Sequence, residues 1–226
     1  MSTKFNRILF DYDGTLIIHD KETEGEIIAR LLNIPEERIL EFVCRLNYLF
    51  ELSYGRQYYQ NRKMTYKLFY SIMERIMNTE KDFGISVTRL NDVINYKSSY
   101  MTDLAPYTKE VLEYLKDKGY KLCIFTNGFY TAQVENMKAH GILEYFENIY
   151  AWDNFYAKPD SRAVIRALDG THPKQNIMVG DSITNDILPA KEMGIYTVGI
   201  NIFEDKIVDV FPDRLITSLK DLKTFL

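Results

Sequence analysis

The sequence predicts an α/β protein: a doubly wound parallel-sheet, Rossmann-like core with an inserted all-helical cap domain. Three observations predict it. The run Arg7-Ile8-Leu9-Phe10 lacks the polar alternation of a half-exposed strand, as a central parallel strand does, and acids follow it at once. From residue 104 onward, helical and strand-like stretches alternate, the pattern of a parallel sheet covered by helices. Between the two, residues 22 to about 100 show helical stretches and no strong strand signal. The expected division is residues 1–16 and 102–226 for the core and 17–101 for the cap.

Each element has its own warrant. Cap helices are expected at 22–33, 36–52, 60–78 and 87–101, punctuated by Gly55 and Gly84. Met64, Leu68, Ile72 and Ile76 recur every fourth residue and give the third helix one apolar face. Pro106 and Thr108 open a helix over KEVLEYLKDK, with Thr108 the expected N-cap and Gly119 its end. YKLCIF, at 120–125, reads as a strand, and a helix near 131–140 stops before Gly141. A short strand near 148–151, a helix near 161–168 and the strand NIMVG at 176–180 follow. A helix over about 184–193 ends at Gly194, and Pro189 lies early enough in it that a missing N–H costs little. YTVGI at 196–200 is a further strand.

Composition narrows the function. The 226 residues suffice for one large domain or a medium domain with an insert, and 46% apolar content argues against wholesale disorder. A net charge of -4 argues against binding a nucleic-acid polymer, and an anionic substrate would need a local positive site. No apolar stretch approaches a membrane span, and MSTKFNRILFDYD lacks the layout of a signal peptide, so a cytoplasmic protein without a membrane partner is expected. Cys44 and Cys123 form no CxxC pair and read as buried free thiols, and His19, His140 and His172 show no zinc spacing. The sequence leaves the oligomeric state open.

In an open parallel sheet, ligands bind beyond the carboxyl ends of the strands. Asp11 and Asp13 follow the first strand; Thr126, Asn127 and Gly128 follow YKLCIF; Asp181, Ser182, Asn185 and Asp186 follow NIMVG. Lys158 lies in the loop AKPD just upstream. Four acids on one edge are unfavourable unless a cation or protons neutralise them. Magnesium, Mg2+, suits such a site because it keeps waters and takes one or two carboxylates together with phosphate oxygens. Lys158 and the Thr126 hydroxyl suit the remaining phosphate oxygens, and Gly14 permits a tight turn beside the acids. Residues i and i+2 of a strand share a face, so Asp11 and Asp13 can address one cleft with Tyr12 turned away. The set reads as a phosphoryl-transfer site. Singly, each residue has a blander reading: a turn and cap pair for Asp11 and Asp13, an ordinary turn at 126–128, a solvated Lys158, a dipole-matching Asp186, a capping Ser182. Their order and their register with the expected strands favour the site.

DYDGTL, TNG, Lys158 in KPD and GDSITND resemble, in order, the four motifs of the haloacid dehalogenase-like hydrolases, and the helical stretch stands where that family has its cap. The resemblance implies that Asp11 is the nucleophile and that Asp13 is general acid and then base, its backbone carbonyl also meeting the metal. It implies that Thr126 and Lys158 hold the phosphoryl oxygens, that Asp181 and Asp186 support the metal, and that Asn127 and Gly128 contribute on the substrate side. Asp13 favours phosphate chemistry over dehalogenation, whose practitioners in the family generally lack it. Phosphonate cleavage would need a cap lysine, and nothing marks Lys63 or Lys67 for it. The implied substrate is a small soluble phosphate ester, because a lid excludes macromolecules. LNYLFELSYGRQ resembles the cap of nucleoside 5′-monophosphate phosphatases, the pyrimidine 5′-nucleotidase branch, while a sugar-phosphate phosphatase or a phosphomutase is the alternative. The cap aromatics Tyr48, Phe50, Tyr54, Tyr58 and Tyr59 read more readily as packing than as a base platform. A receiver domain or a non-catalytic phospho-ligand-binding relative fits poorly with the joint presence of Asp11, Asp13, Lys158 and Asp181. One departure from the family is Tyr156, two residues before Lys158, where many members have glycine.

Overall fold

The structure, a computed structural model, describes residues 5–19, 24–54, 66–100, 102–151, 156–201 and 210–226. In chain order the strands are β1 (Arg7–Phe10), β2 (Ile17–His19), β3 (Thr102–Leu104), β4 (Lys121–Phe125), β5 (Asn148–Tyr150), β6 (Asn176–Gly180), β7 (Tyr196–Ile200) and β8 (Arg214–Ile216). The helices are α1 (Glu24–Leu31), α2 (Ile39–Tyr54), α3 (Tyr66–Met77), α4 (Thr79–Phe83), α5 (Val87–Tyr100), α6 (Thr108–Asp117), α7 (Tyr130–His140), α8 (Ser161–Leu168) and α9 (Leu188–Glu192).

Six strands form one sheet in the order β5-β4-β1-β6-β7-β8, each pairing parallel. β1 is buried throughout, which explains why Ile8, Leu9 and Phe10 follow one another without a polar break. Its side chains alternate between two cores. Ile8 and Phe10 pack with Val111, Leu112 and Leu115 of α6, whereas Leu9 packs with Ala163, Val164 and Ala167 of α8. Helices on both faces make the sheet doubly wound.

β2 and β3 form a separate antiparallel ribbon, with Ile17 opposite Leu104 and His19 opposite Thr102. Between them the described residues are mostly helical and build a third core around Ile28, Phe42, Leu46, Leu49, Met73 and Leu90. Phe129 and Ala157, on loops of the main sheet, pack into that core. Ile72 is buried and Ile76 partly so, as the helical face required, while Met64 and the side chain of Leu68 lie outside the described residues. Outside them too lie Gly55, Tyr58, Tyr59, Lys63 and the side chains of Phe50, Tyr54 and Lys67. Tyr48 is exposed.

Three expectations need correction. Thr108 is the first helical residue rather than the N-cap. The cap position is Tyr107 at φ 69°, and the Thr108 hydroxyl donates to Ala105 O (2.7 Å) and sits 3.1 Å from Leu16 O, tying the helix to the chain after β1. Cys44 is exposed, because α2 turns its apolar stripe, Phe42, Leu46 and Leu49, the other way. The helix expected over 184–193 is two pieces, a π-turn at Ile183–Ile187 followed by α9, with Pro189 in its first turn. No helix among the described residues is long and apolar enough to cross a membrane.

Candidate active site

Strands β4, β1 and β6 are neighbours, so the residues that follow them converge. The Asp11 N–H donates to Val179 O at 2.9 Å, extending the ladder one residue beyond β1. The sheet grows from β1 to β4 and β5, then crosses over to β6, β7 and β8. The β1–β6 seam is thus the topological switch point, where open sheets place their ligands.

Lys158 joins the motifs. Its Nζ donates to Asp11 Oδ1 and to Asp186 Oδ1, both at 2.6 Å, and its side chain is only 3% exposed. Burial by itself would lower the ammonium's pKa, but the two carboxylates outweigh it and hold the pKa above its ordinary value. The loop is clamped at Lys158, since Asn127 Nδ2 donates to Lys158 O at 3.0 Å and Lys158 N–H donates to Asn127 Oδ1 at 2.8 Å. Asn127, expected on the substrate side, has both ends of its amide engaged by this backbone. Lys158 reaches the acids with Tyr156 two residues before it, and the Arg162 guanidinium stacks 3.8 Å from the Tyr156 ring centroid.

Asp11, Asp181 and Asp186 each offer an oxygen within 4.8 Å of the others. Burial and the charges of Asp11 and Asp186 push Asp181 up to about 8. Burial raises Asp186 to about 7 against the pull of Lys158, with Asp11 adding to the rise. One ammonium therefore faces three carboxylates, of which Asp181 and Asp186 resist ionising. An all-oxygen donor set with surplus negative charge fits a hard divalent cation.

Glycines make this crowding sterically feasible. Gly14 adopts φ +82°, and a Cβ there would overlap Asp181 Oδ2. A Cβ on Gly180 would overlap Asp186. The π-turn aims Asp186 back at the sheet, where Ser182 N–H donates to its Oδ2 at 3.1 Å; Ser182 Oγ in turn accepts from Asn185 N–H at 3.2 Å. Ser182 caps this turn.

Asp13 is half-buried and stands beside the trio rather than in it. Gln133 Nε2, from α7, donates to Asp13 Oδ2 at 3.0 Å. Tyr12, between the acids, is fully buried in the main core, as the i, i+2 pattern requires, although β1 itself ends at Phe10. The buried Thr126 hydroxyl accepts from Gly128 N–H at 3.0 Å, and Thr15 Oγ1 donates to Asp11 Oδ2 at 3.2 Å. Thr15, Gln133 and the close approach at Gly180 were not singled out from the sequence. Thr15 carried a signal, a hydroxyl four residues after the first acid; Gln133 carried none.

The fold and this site define an α/β enzyme with a helical cap and an acid-lysine centre at the switch point. Residues 5–194 match the family model described as haloacid dehalogenase-like hydrolase, and the chain belongs to that family as a hydrolase of its phosphatase class. It is 28% identical to the glyceraldehyde 3-phosphate phosphatase of Methanocaldococcus jannaschii, over 95% of this chain and 94% of the relative. It is 26% identical to the phosphoglycolate phosphatase of Vibrio vulnificus, over 85% of this chain and 82% of the relative. Among solved structures, the HAD-hydrolase YfnB of Bacillus subtilis, in a magnesium-bound form, is similar with a TM-score of 0.71 at 19% identity, over 98% of each chain.

Proposed function

We propose that this chain is a magnesium-dependent phosphatase of small soluble phosphate monoesters, with Asp11 as its nucleophile. The observation that carries the reading is the Lys158 ammonium bound to Asp11 and Asp186 beside Asp181, with Asp13 two residues from Asp11. In this reading an Asp11 oxygen attacks phosphorus and the bond to the leaving oxygen breaks, while Asp13 gives that oxygen a proton. Asp13 then takes a proton from water, the water oxygen attacks phosphorus, and the acyl phosphate bond breaks to return Asp11 and inorganic phosphate. Lys158 and Thr126 hold phosphoryl oxygens. Asp11, Asp181 and Asp186, with the Asp13 carbonyl, would hold magnesium, whose charge offsets that of the carboxylates and of the phosphoryl group. Residues 17–101 serve as the cap over this site.

For the substrate we favour short-chain sugar or hydroxy-acid phosphates over nucleoside 5′-monophosphates. The support is the naming of similar proteins, as phosphatases of glyceraldehyde 3-phosphate and of phosphoglycolate. The test is phosphate release from a panel of both classes, with magnesium and with chelator, beside Asp11→Asn. Turnover that requires magnesium, disappears in the variant and is fastest for the short-chain esters is expected. Nucleotides at the top of the ranking would overturn the substrate choice, and turnover retained by Asp11→Asn would overturn the mechanism.

A further inference from the structure

We propose that Gln133 is a positioning residue that holds the Asp13 carboxylate in line for proton transfer, and that Gly128 is a glycine because Gln133 occupies the space a side chain would need. The inference rests on the reading of Asp13 as the acid in a phosphatase.

Gln133 is 4% exposed, on the first turn of α7 directly after the 126–128 turn. Its Nε2 donates to Asp13 Oδ2 at 3.0 Å, while its buried Oε1 has no hydrogen-bond partner among the described residues. A half-satisfied amide is a poor choice for filling space, since an apolar side chain of similar size would bury no orphaned oxygen. Among the described residues the amide's one bond is to the carboxylate of Asp13, 120 positions away. A Cβ on Gly128 would overlap Gln133 Nε2 and crowd its Cδ and Cγ. The backbone of 126–128 therefore passes against the amide and blocks retreat on that side. A carboxylate can turn about two torsions, and a donor fixed by packing favours one of its orientations.

Selection of this kind matters only where the leaving oxygen needs a proton. An alkyl alkoxide does, whereas p-nitrophenolate leaves as a stable anion. The experiment compares kcat/KM, which covers the steps through phosphoryl transfer to the enzyme, for an alkyl phosphate and for p-nitrophenyl phosphate in wild type, Gln133→Met, Gln133→Ala, Gly128→Ala and Gln133→Ala/Gly128→Ala. Gln133→Met keeps the length of the side chain without the donor. The expected result is a loss of ~10–100-fold for the alkyl ester, part of the 10²–10⁴ that general acid catalysis supplies, with less than ~3-fold for the aryl ester. Gly128→Ala should lower the alkyl-to-aryl ratio of kcat/KM likewise, and the double variant should show no lower a ratio than Gln133→Ala alone. Equal losses on both esters would mark a merely structural role and overturn the inference, as would unchanged alkyl turnover. Thermal melting of each variant identifies any that fail to fold, and the glycine pair then decides alone. Wild-type protein that hydrolyses neither ester would overturn the phosphatase reading and this inference with it.

Discussion

Lys158 is a residue whose surroundings decide its behaviour. Alone in a sequence, a lysine before a proline is a solvated cation. Here it is almost fully buried between Asp11 and Asp186. Removing one partner of such a group leaves the others uncompensated, which costs more than the pair itself contributes. Lys158→Met should therefore lower unfolding stability by ~3–5 kcal/mol in chelator, measured by urea denaturation. Magnesium should recover part of the loss by meeting the stranded carboxylates. A variant as stable as wild type without metal would show that the acids do not depend on the lysine. The acids themselves were legible because they directly follow apolar runs that could only be strands. Gln133 was not, since its meaning lies in Asp13 and becomes visible only once α7 is folded against the 11–13 loop.

At the scale of elements, strands were easier to read than the turns between them. The runs at 7–10, 120–125, 176–180 and 196–200 matched the expected strands within a residue. β8 escaped notice, because a three-residue edge strand with two exposed side chains has too little pattern to register. A carboxylate just before β8 anchors that edge to the sheet. Asp213 accepts from Thr197 N–H at 2.9 Å and Thr197 Oγ1 at 2.8 Å, and Lys191 Nζ lies 2.8 Å away. Burial tends to raise the Asp213 pKa, but Lys191 and the Thr197 donors outweigh it and hold it below the usual carboxylate range. A carboxyl depressed by folding adds stability above its unfolded pKa, and that stability is lost as pH falls through the folded value. Asp213→Asn should therefore cost about 1 kcal/mol at neutral pH, since solvent screens part of what these bonds would otherwise contribute. The gap should hold down to about pH 5 and close below about pH 4. Urea midpoints across that range check it; a gap that widened on acidification would contradict it. The π-turn at 183–187 could not be read from the sequence, where one helical pattern covered it and α9 alike. Its wider winding is what returns Asp186 to Lys158.

Over the whole molecule, a single parallel sheet gathers residues from four separated stretches of chain onto one edge. The helical region between β2 and β3 departs from the main sheet and returns to it through one ribbon. Its class was legible, since helical periodicity without strand signal admits little else, whereas its aromatic residues did not single out a substrate. The central claim is that the phosphoryl group passes through Asp11. Its most direct test is to acid-quench the wild-type enzyme during turnover of a good substrate with magnesium, digest it, and locate the phosphoryl group by mass spectrometry. A label on the peptide carrying Asp11, labile to hydroxylamine and absent from Asp11→Asn, is the predicted result. A label on another residue, or none on an enzyme slowed enough in its hydrolytic step to accumulate one, would contradict it.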